Sequence, residues 1–474
     1  MNEQSTERTL ISINRKTFFQ VAALLAALLI VSIALTYLVP RGSFGVLPDG
    51  NPDYLNYTRR SDLPGIPLWQ GLLAPVLVFF SEDGLTLAVL SLFLFVISAA
   101  FQVMNDVGGI RALVGAVSSR FSQRRGLLLV CVSFLFYCFG AFLGLFEEML
   151  TMLPIVASLC LALGYDSFTG FLCSILACGF GFASAVTNPF TVLLASEIIG
   201  VSPMTHIWFR LVIFVVMFLL LIAFLGLYLR RLRRNPEASV TRRHDSTAAG
   251  FDAAAEAESS SPRIRITYAV FLLAALLLIV VSSMLSALRS YTVVILIVWF
   301  LFGGIAAGAI ACGQLRPVLR SFGKGFVSAL PTLAFIAMAA SVKYVFDRGS
   351  ILPTVVHGIN ALADGRSPLR IAVLIYLIVL ALEFFISSSS AKAILVMGLL
   401  AVVNVGLSKT MLVLLYTFGD GYTNVLFPTS PVLLISLSML EIDYFTWLKK
   451  SLPLFLVNLL LVLGFIALGL LVGY

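Results

Sequence analysis

The chain has 474 residues, of which 60% are hydrophobic and only 11% charged, and its mean hydropathy is +1.04. A soluble domain carries about 25% charged residues, so this composition excludes a water-soluble globular protein. The net charge of +8 does not indicate nucleic acid, because the basic residues stand in short loops beside apolar runs, where Lys and Arg report membrane topology. The expected partners are the lipid bilayer and a small-molecule substrate.

The N-terminal part begins with an apolar run, 17–39, that is long enough to cross a bilayer, since a spanning helix needs about 20 apolar residues. No small-residue cleavage site follows it, so we read it as a retained span. Basic residues before the run place the N-terminus inside. A mixed-charge segment, 40–66, and a short apolar stretch, 67–81, lead to a span at about 85–103.

The next apolar stretch, 125–164, is interrupted by Glu147 and Glu148. One straight helix would leave both carboxylates at mid-depth, where ionised groups are costly. The pattern therefore predicts a re-entrant hairpin, whose non-helical tip must lie against protein or water because lipid does not satisfy its amide groups. Spans at about 167–190 and 205–230 follow.

The long polar stretch 231–264 is read as a flexible cytoplasmic linker. Beyond it, the stretch 368–405 is a second interrupted apolar pair, broken by the serines from Ser387 to Ser390. The basic loops keep their alternation, which places the C-terminus outside. The remaining predicted spans lie at about 266–285, 291–311, 326–346, 410–430 and 450–472.

The two parts flanking the linker resemble each other. NDVGGI at 105–110 resembles FDRGSI at 346–351, and GFGF at 179–182 resembles GDGY at 419–422, at a nearly constant offset of about 240 residues. The first copy starts from the outside and the second from the inside, so the repeat is predicted to be inverted. Inverted repeats place discontinuous helices around a shared site near the membrane midplane, which is a transporter architecture.

This organisation predicts an all-α polytopic membrane protein, an inverted repeat with two re-entrant hairpins and broken helices. Its predicted parts are an N-terminal span and scaffold entry (1–84), a first repeat (85–230) with a hairpin near 125–164, the cytoplasmic linker (231–264), scaffold spans (265–325), and a second, inverted repeat (326–474) with a hairpin near 368–405.

Polar clusters fall where the repeat predicts broken helices. A broken helix presents amide groups that favour an anion, and carbonyls that suit a dehydrated Na⁺ together with Ser, Thr and Asn oxygens. The alternative is a kinked helix whose small polar side chains bond their own backbone. The uncharged candidates for substrate or ion binding are Ser184, Thr187, Asn188, Pro189, Ser387, Ser388, Ser389, Ser390, Thr423, Asn424, Thr429 and Ser430. Those proposed for Na⁺ are Ser184, Thr187, Asn188, Thr423 and Asn424.

The charged candidates each have two interpretations. Glu147 and Glu148 bind a cation or a proton, or else lie on a tip exposed at the membrane surface. Lys392 meets a substrate carboxylate, or else its long side chain extends to the outer surface. Asp420 binds an ion or a cationic group, or else forms a structural salt bridge. The cysteines and histidines show no metal-ligand spacing, so no metal centre and no cofactor are expected beyond a coupling Na⁺.

Four segments resemble the YfcC-type carriers of the C4-dicarboxylate anaerobic carrier family, within the ion transporter superfamily. They are YLVPRGSFG at 37–45, GFASAVTNPF at 181–190, EFFISSSSAKA at 383–393 and FGDGYTNVLFPTS at 418–430. The resemblance implies a homodimeric carrier of the bacterial inner membrane, with a scaffold and a mobile transport domain that moves as an elevator. It implies a site made of Ser184, Thr187 and Asn188 with the Glu147 hairpin, and of Thr423, Asn424, Thr429 and Ser430 with the Ser387 hairpin.

The chain departs from the family pattern at the second hairpin. Where that pattern reads Ser-Gly-Ser-Gly-Gln, this chain has Ser388-Ser389-Ser390-Ala391-Lys392. Losing the glycines stiffens the tip, and Lys in place of Gln adds a charge. The substrate of the family therefore does not carry over directly.

We expect a secondary active transporter of a small carboxylate-bearing metabolite, either an amino acid or a C4-dicarboxylate or other organic acid. It is coupled to Na⁺ or H⁺, or works by exchange. The acidic excess near the site favours an amino acid. An ion or small-anion channel is the first alternative, and an intramembrane enzyme the second. We expect no enzyme, because no His or Cys lies near the polar clusters.

Overall fold

The computed structural model of the chain is mostly helical. It describes residues 15–46, 52–60, 65–82, 84–121, 123–242, 245, 261–289, 291–354, 357, 367–386, 388–402 and 406–474. Among these residues, eight helices are long and apolar enough to cross a membrane, as expected for a multi-pass membrane protein. They are Gly84–Asp106, Arg125–Leu143, Ile207–Arg234, Pro262–Ser282, Thr292–Cys312, Leu315–Gly349, Pro368–Phe385 and Tyr444–Leu471.

The N-terminal region joins one long helix to short elements. The helix Arg15–Leu38 leads into two antiparallel strands, Arg41–Val46 and Pro52–Arg60, and the short helices Leu68–Leu72 and Ala74–Leu77 follow. The sequence analysis missed the strands, because Pro, Gly and mixed charges are typical of a loop.

A group of helices surrounds Gly84–Asp106, and we call it the frame helices. Gly325 lies so close to Gly84–Asp106 that a Cβ there would crowd the Ala99 backbone, and Ser98 Oγ donates to Gly325 O at 2.8 Å. The other members are Arg15–Leu38, Gly109–Arg120, Pro262–Met284, Thr292–Cys312, Leu315–Ser328 and Leu330–Gly349.

The first half continues with a hairpin and an interrupted helix. The first hairpin has an entry arm, Arg125–Leu143, and a return arm, Leu153–Ala162. The first broken helix runs over Ser167–Ala183, its pre-break part, and Pro189–Ile199, its post-break part. The first closing helix, Ile207–Arg234, then leads away to the linker.

The second half repeats this order. The second hairpin has an entry arm, Pro368–Phe385, and a return arm, Ser389–Val402. The second broken helix runs over Lys409–Gly421 and, after a short 3₁₀ turn, Pro431–Met439. The second closing helix is Tyr444–Leu471.

The first hairpin opens toward the C-terminal end of the first closing helix. Arg125 Nη1 donates to Leu163 O at 2.9 Å, so the free ends of the two arms lie together. Asp166, just beyond the return arm, accepts a hydrogen bond from Tyr228 near the end of the closing helix. The tip of this hairpin is therefore directed away from that end.

The second hairpin opens toward the opposite end of the same helix. Pro368 and Leu407, at the free ends of its arms, line one cavity together with Tyr474. The ring of Tyr474 lies 5.7 Å from that of His206, which directly precedes Ile207. The two helix pairs thus open toward opposite ends of Ile207–Arg234.

The aromatic core lies between the broken helices and the second closing helix. Phe168 and Phe171 contact Trp447 edge to face, with ring centroids 6.1 and 5.0 Å apart. Further along, Phe180 lies 5.8 Å from Phe455. This buried layer fixes the first pre-break helix against the second half.

The observed helices also locate the breaks within two predicted spans. Those expected at about 167–190 and 410–430 are not continuous, since their first helices end at Ala183 and Gly421. Of the predicted linker 231–264, residues 243–244 and 246–260 lie outside the described part of the chain.

Candidate functional site

The first break, residues 184–188, ends at a well-capped helix. Asn188 Oδ1 accepts a hydrogen bond from Phe190 N at 2.9 Å, and Pro189 occupies the first helical position. Both features are favoured at helix starts, because Asn satisfies a free amide and Pro has none to satisfy. The sequence Asn-Pro therefore stops one helix and starts the next.

The same segment is hydrogen-bonded to the end of the first entry arm. Asn188 Nδ2 donates to Gly140 O at 3.2 Å, and Thr187 Oγ1 donates to Phe142 O at 3.3 Å. Between them, Ala141 O accepts from the amides of Val186 and Thr187 at 3.0 and 3.3 Å. Three successive carbonyls of the arm thus point at the break, which makes this region rich in neutral oxygen atoms.

The second break, residues 422–430, has a similar cap. Ser430 Oγ accepts from Leu433 N at 3.4 Å, and Pro431 occupies the first helical position. Within the break, Asn424 Nδ2 donates to Asp420 O at 3.0 Å and Thr423 Oγ1 to Gly419 O at 3.4 Å. These two side chains therefore bond the preceding helical turn, as in the alternative interpretation, while Thr429 is buried beside them.

The two breaks meet each other. Ser184 Oγ and Tyr422 Oη are 2.9 Å apart. A Cβ on Gly421 would overlap the Cα of Ala183, so the two pre-break helices cross in direct backbone contact. The crossing brings the polar residues of both halves into one region.

The hairpins contact the breaks reciprocally. The tip turn of the first hairpin, Glu147–Thr151, packs against the second post-break helix, Pro431–Met439. The return arm of the second hairpin, Ser389–Val402, packs against the first post-break helix, Pro189–Ile199. Each half thus supplies a hairpin to the break of the other half.

Three buried charges lie together in the second half, and we call them the triad: Glu383, Lys392 and Asp420. Lys392 is fully buried, and its Nζ contacts Glu383 Oε2, Asp420 Oδ1 at 2.8 Å and Ile386 O at 3.0 Å. Its side chain does not extend to the outer surface. Asp420, also fully buried, occupies the structural salt bridge that was one of its two interpretations.

The carboxylate of Asp420 has two further donors. Ser389 Oγ donates to Oδ2 at 2.8 Å, and Tyr416 Oη donates to Oδ1 at 3.4 Å. The remaining tip serines bond locally: Ser388 Oγ accepts from Ala391 N at 3.4 Å and lies 3.5 Å from Ser390 Oγ. Ser387, also a predicted site residue, lies outside the described residues.

The acidic pair of the first hairpin is held differently. Glu147 is exposed and Glu148 half-buried. Neither carboxylate forms a salt bridge within the part of the chain that the structure describes. The first tip thus holds two carboxylates without a salt bridge among the described residues, whereas the charges of the second half are paired internally.

Sequence reasoning missed three residues at this place. They are Glu383, Tyr416 and Tyr422, none of which is among the predicted site residues. Glu383 carried the signal that was needed, because a carboxylate inside an apolar helix requires a partner. The tyrosine hydroxyls had no comparable signal, since Tyr is common in apolar helices without a polar role.

The described residues contain no group of three or more His, Cys, Asp or Glu side chains that would hold a metal ion. The donors that suit a monovalent cation are instead the carbonyls of Gly140, Ala141 and Phe142 beside Thr187 and Asn188. A small solute with a carboxylate matches the positive dipole ends at the starts of the two post-break helices, where Asn188 and Ser430 already cap one amide each.

The sequence was compared with known families and curated proteins. The family model described as DcuC, C4-dicarboxylate anaerobic carrier, matches residues 18–472. The chain is 27% identical over 430 residues to the Escherichia coli (strain K12) protein named "Putative basic amino acid antiporter YfcC", covering 86% of this chain and 82% of that protein. It is 26% identical over 392 residues to an uncharacterized Haemophilus influenzae protein, covering 79% and 74%.

Two solved structures resemble the fold at lower similarity. The YdaH transporter of Alcanivorax borkumensis is 17% identical with a TM-score of 0.46, covering 96% of this chain and 98% of that one. The MtrF protein of Neisseria gonorrhoeae, from a class described as antimetabolite efflux pumps, is 15% identical with a TM-score of 0.44, covering 97% of both chains. Scores of this size are too low to establish a common fold.

Proposed function

The chain belongs to the C4-dicarboxylate anaerobic carrier (DcuC) family, and from this premise we propose that it is a secondary active transporter of a small carboxylate-bearing metabolite, specifically an amino acid. It acts in the bacterial cytoplasmic membrane, as a homodimer, and binds its substrate where the two breaks meet. The observation that supports this proposal is the difference in charge between the two halves around that crossing: acidic side chains at the tip of the first half without salt bridges among the described residues, and an internally paired triad in the second.

Alternating access is supported by the arrangement of the hairpins. They open toward opposite ends of Ile207–Arg234, and each contacts the break of the other half. Exchanging the conformations of two inverted copies opens a shared site first to one side and then to the other. In the elevator form of this mechanism, the hairpins and broken helices move as one transport domain against the frame helices.

The substrate class follows from the charges. Glu147 and Glu148 have no salt-bridge partner among the described residues, and the triad holds two carboxylates against one ammonium. The crossing therefore attracts a positive group. The starts of the post-break helices, at Pro189 and Pro431, attract a carboxylate through their positive dipole ends. An amino acid carries both groups, and the name of the Escherichia coli relative agrees with this choice.

Lys392 is not available to the substrate carboxylate. Its ammonium group has three N–H donors, and its three contacts are Glu383, Asp420 and the Ile386 carbonyl. A C4-dicarboxylate would thus bring two negative charges to a region where the described residues offer no free cation. We therefore prefer an amino acid, with a positively charged side chain, to a dicarboxylate.

Coupling is assigned to Na⁺ at the first break. Gly140, Ala141 and Phe142 supply carbonyls there, and Thr187 and Asn188 supply side-chain oxygens. Neutral oxygen donors of this kind suit a dehydrated Na⁺. Proton coupling and substrate exchange are the outcomes that would replace this assignment.

The test uses purified protein in liposomes. Labelled lysine should enter saturably, show counterflow and respond to a Na⁺ gradient, whereas labelled succinate should not compete. Single-channel currents would show a channel instead, and competition by succinate alone would show a dicarboxylate carrier. Uptake driven by a pH gradient would indicate proton coupling, and uptake that requires internal substrate would indicate exchange. Either result would contradict the assignment of Na⁺ coupling.

A pair of variants tests the role of the tip. Glu147→Gln together with Glu148→Gln should lower the apparent affinity for lysine at least tenfold, because the positive group loses its partner. Glu82→Gln is the control, since Glu82 is an exposed loop carboxylate away from the breaks. Equal lysine affinity in both variants would contradict the proposed site.

A further inference from the structure

The triad has the contacts of an occupied cation site. Lys392 Nζ is surrounded by two carboxylate oxygens and by the carbonyl of Ile386, which directly follows the second entry arm. Lys392 and Asp420 are fully buried, and Glu383 is 3% exposed. A lysine ammonium is a compact point charge on a flexible stem, so it fits a site that would otherwise take a metal cation.

The first half of the chain has uncharged residues at the positions that correspond to the triad. Leu143 stands 240 residues before Glu383, at the offset of the repeat. There the first half has an apolar side chain, whereas the second half has a carboxylate. The first entry arm instead offers its main-chain carbonyls to the break.

The other two members of the triad also have uncharged counterparts. Phe180 stands in GFGF where Asp420 stands in GDGY, and Met152 precedes Lys392 by the same 240 residues. The two acids and the base are therefore found together in the second half and are absent together from the first.

From this difference we infer that the Lys392 ammonium permanently occupies the place of a coupling cation at the second break, so that the protein binds a metal cation only at the first. The inference rests on the proposed transport function and deepens it, because it fixes the number of coupling cations at one where the repeat alone suggests two. A tethered ammonium neither enters nor leaves, so the second break keeps the same charge throughout the cycle.

The inference requires that removing the ammonium reopens the site. In Lys392→Met, Glu383 and Asp420 are left without their cation, and a free Na⁺ at their oxygens would stabilise the folded protein by mass action. The melting temperature of this variant should rise by several degrees when N-methyl-D-glucamine chloride is replaced by NaCl at constant ionic strength. The wild type should rise less.

The matched control removes all three charges. In the triple variant Glu383→Gln, Lys392→Met, Asp420→Asn, no acidic oxygens remain to attract Na⁺ at the second break. Its melting temperature should respond to Na⁺ as the wild type does. If Lys392→Met responds no more strongly than the triple variant, the inference is overturned.

A second measurement on the unaltered protein keeps the test decisive if Lys392→Met does not fold. Binding of ²²Na⁺ to the purified wild type should saturate at no more than one ion per chain, and two ions per chain would overturn the inference. Neither measurement uses transport. Failure of counterflow would therefore count against the proposed function alone, and failure of the Na⁺ tests against the occupied site alone.

Discussion

The first break is held by main-chain carbonyls and neutral side chains, with two free carboxylates on the nearby tip. The second break has similar capping, Ser430 before Pro431 in place of Asn188 before Pro189, but it adds three buried charges that neutralise one another in part. The two halves thus share a backbone plan and differ in their electrostatics.

This difference suggests separate roles for the two hairpins. Charges that have partners inside the protein contribute to its rigidity, while charges without partners are available to a solute. Under the proposed function, the first hairpin recognises the substrate, and the second hairpin keeps a constant charge at the crossing. The following substitutions test that division, beginning with the largest expected effect.

Lys392→Met should destabilise the protein most. It leaves Glu383 and Asp420 buried without a cation, and breaking a buried ion pair in this way costs about 3–5 kcal/mol. The free energy of unfolding in detergent, measured by chemical denaturation in Na⁺-free buffer, gives the value. Asp420→Asn should cost less, because a neutral Glu383–Lys392 pair remains.

The matched substitution in the first half is Glu147→Gln. This carboxylate is exposed and has no salt bridge within the described residues, so its removal should change the free energy of unfolding by less than about 0.5 kcal/mol. A loss of several kcal/mol would mean that the first tip is also held by charge, and the contrast between the halves would disappear.

Gly421→Ala should have the next largest effect, because it acts on the crossing that both halves share. The added methyl group meets the backbone of Ala183, and overpacking of this kind costs about 1–3 kcal/mol. Gly464→Ala on the second closing helix is the control, since no atom lies within 4 Å of its Cβ position. That control should leave the free energy of unfolding unchanged or raise it slightly. An equal loss of stability in the Gly421→Ala and Gly464→Ala variants would contradict the close crossing.

The sequence predicted many of the helices and their starts, because these features depend on local sequence signals. Apolar runs of sufficient length marked six of the eight spanning helices, and Asn-Pro and Ser-Pro marked the starts of both post-break helices. Such signals involve neighbouring residues only, so they are readable without knowledge of the fold. The break positions at Ala183 and Gly421 were less exact, because apolar residues continue past both ends.

The triad was not predictable in the same way. Glu383, Lys392 and Asp420 lie on three different helices, and their meeting depends on how the second hairpin packs against Lys409–Gly421. Hydrophobic periodicity does not specify which faces meet in an apolar protein, since nearly every face is apolar. The sequence left two interpretations for Lys392, a substrate carboxylate or the outer surface, and the contact with Asp420 corresponds to neither of them.

Asn188→Ala should have a moderate effect and compare the two caps. It removes the bond to Phe190 N and the bond to Gly140 O, and loss of an N-cap costs about 0.5–2 kcal/mol. Ser430→Ala removes a single long bond to Leu433 N and should cost less. Chemical denaturation of both variants in detergent measures the two losses in free energy of unfolding. A larger loss in Ser430→Ala would show that the second cap contributes more to stability than the first.

The smallest expected effect concerns the hydrogen bond that joins the halves, between Ser184 Oγ and Tyr422 Oη. A double-mutant cycle of Ser184→Ala and Tyr422→Phe should give a coupling energy of about 0.5–1.5 kcal/mol, the net value of one buried hydrogen bond. Since both side chains lie at the crossing, the same cycle measured on counterflow tests whether the two halves are coupled during transport. A stability coupling without any coupling in counterflow would mean that this contact supports the fold alone. A coupling in both would link the breaks through this bond, because no charge changes in either variant.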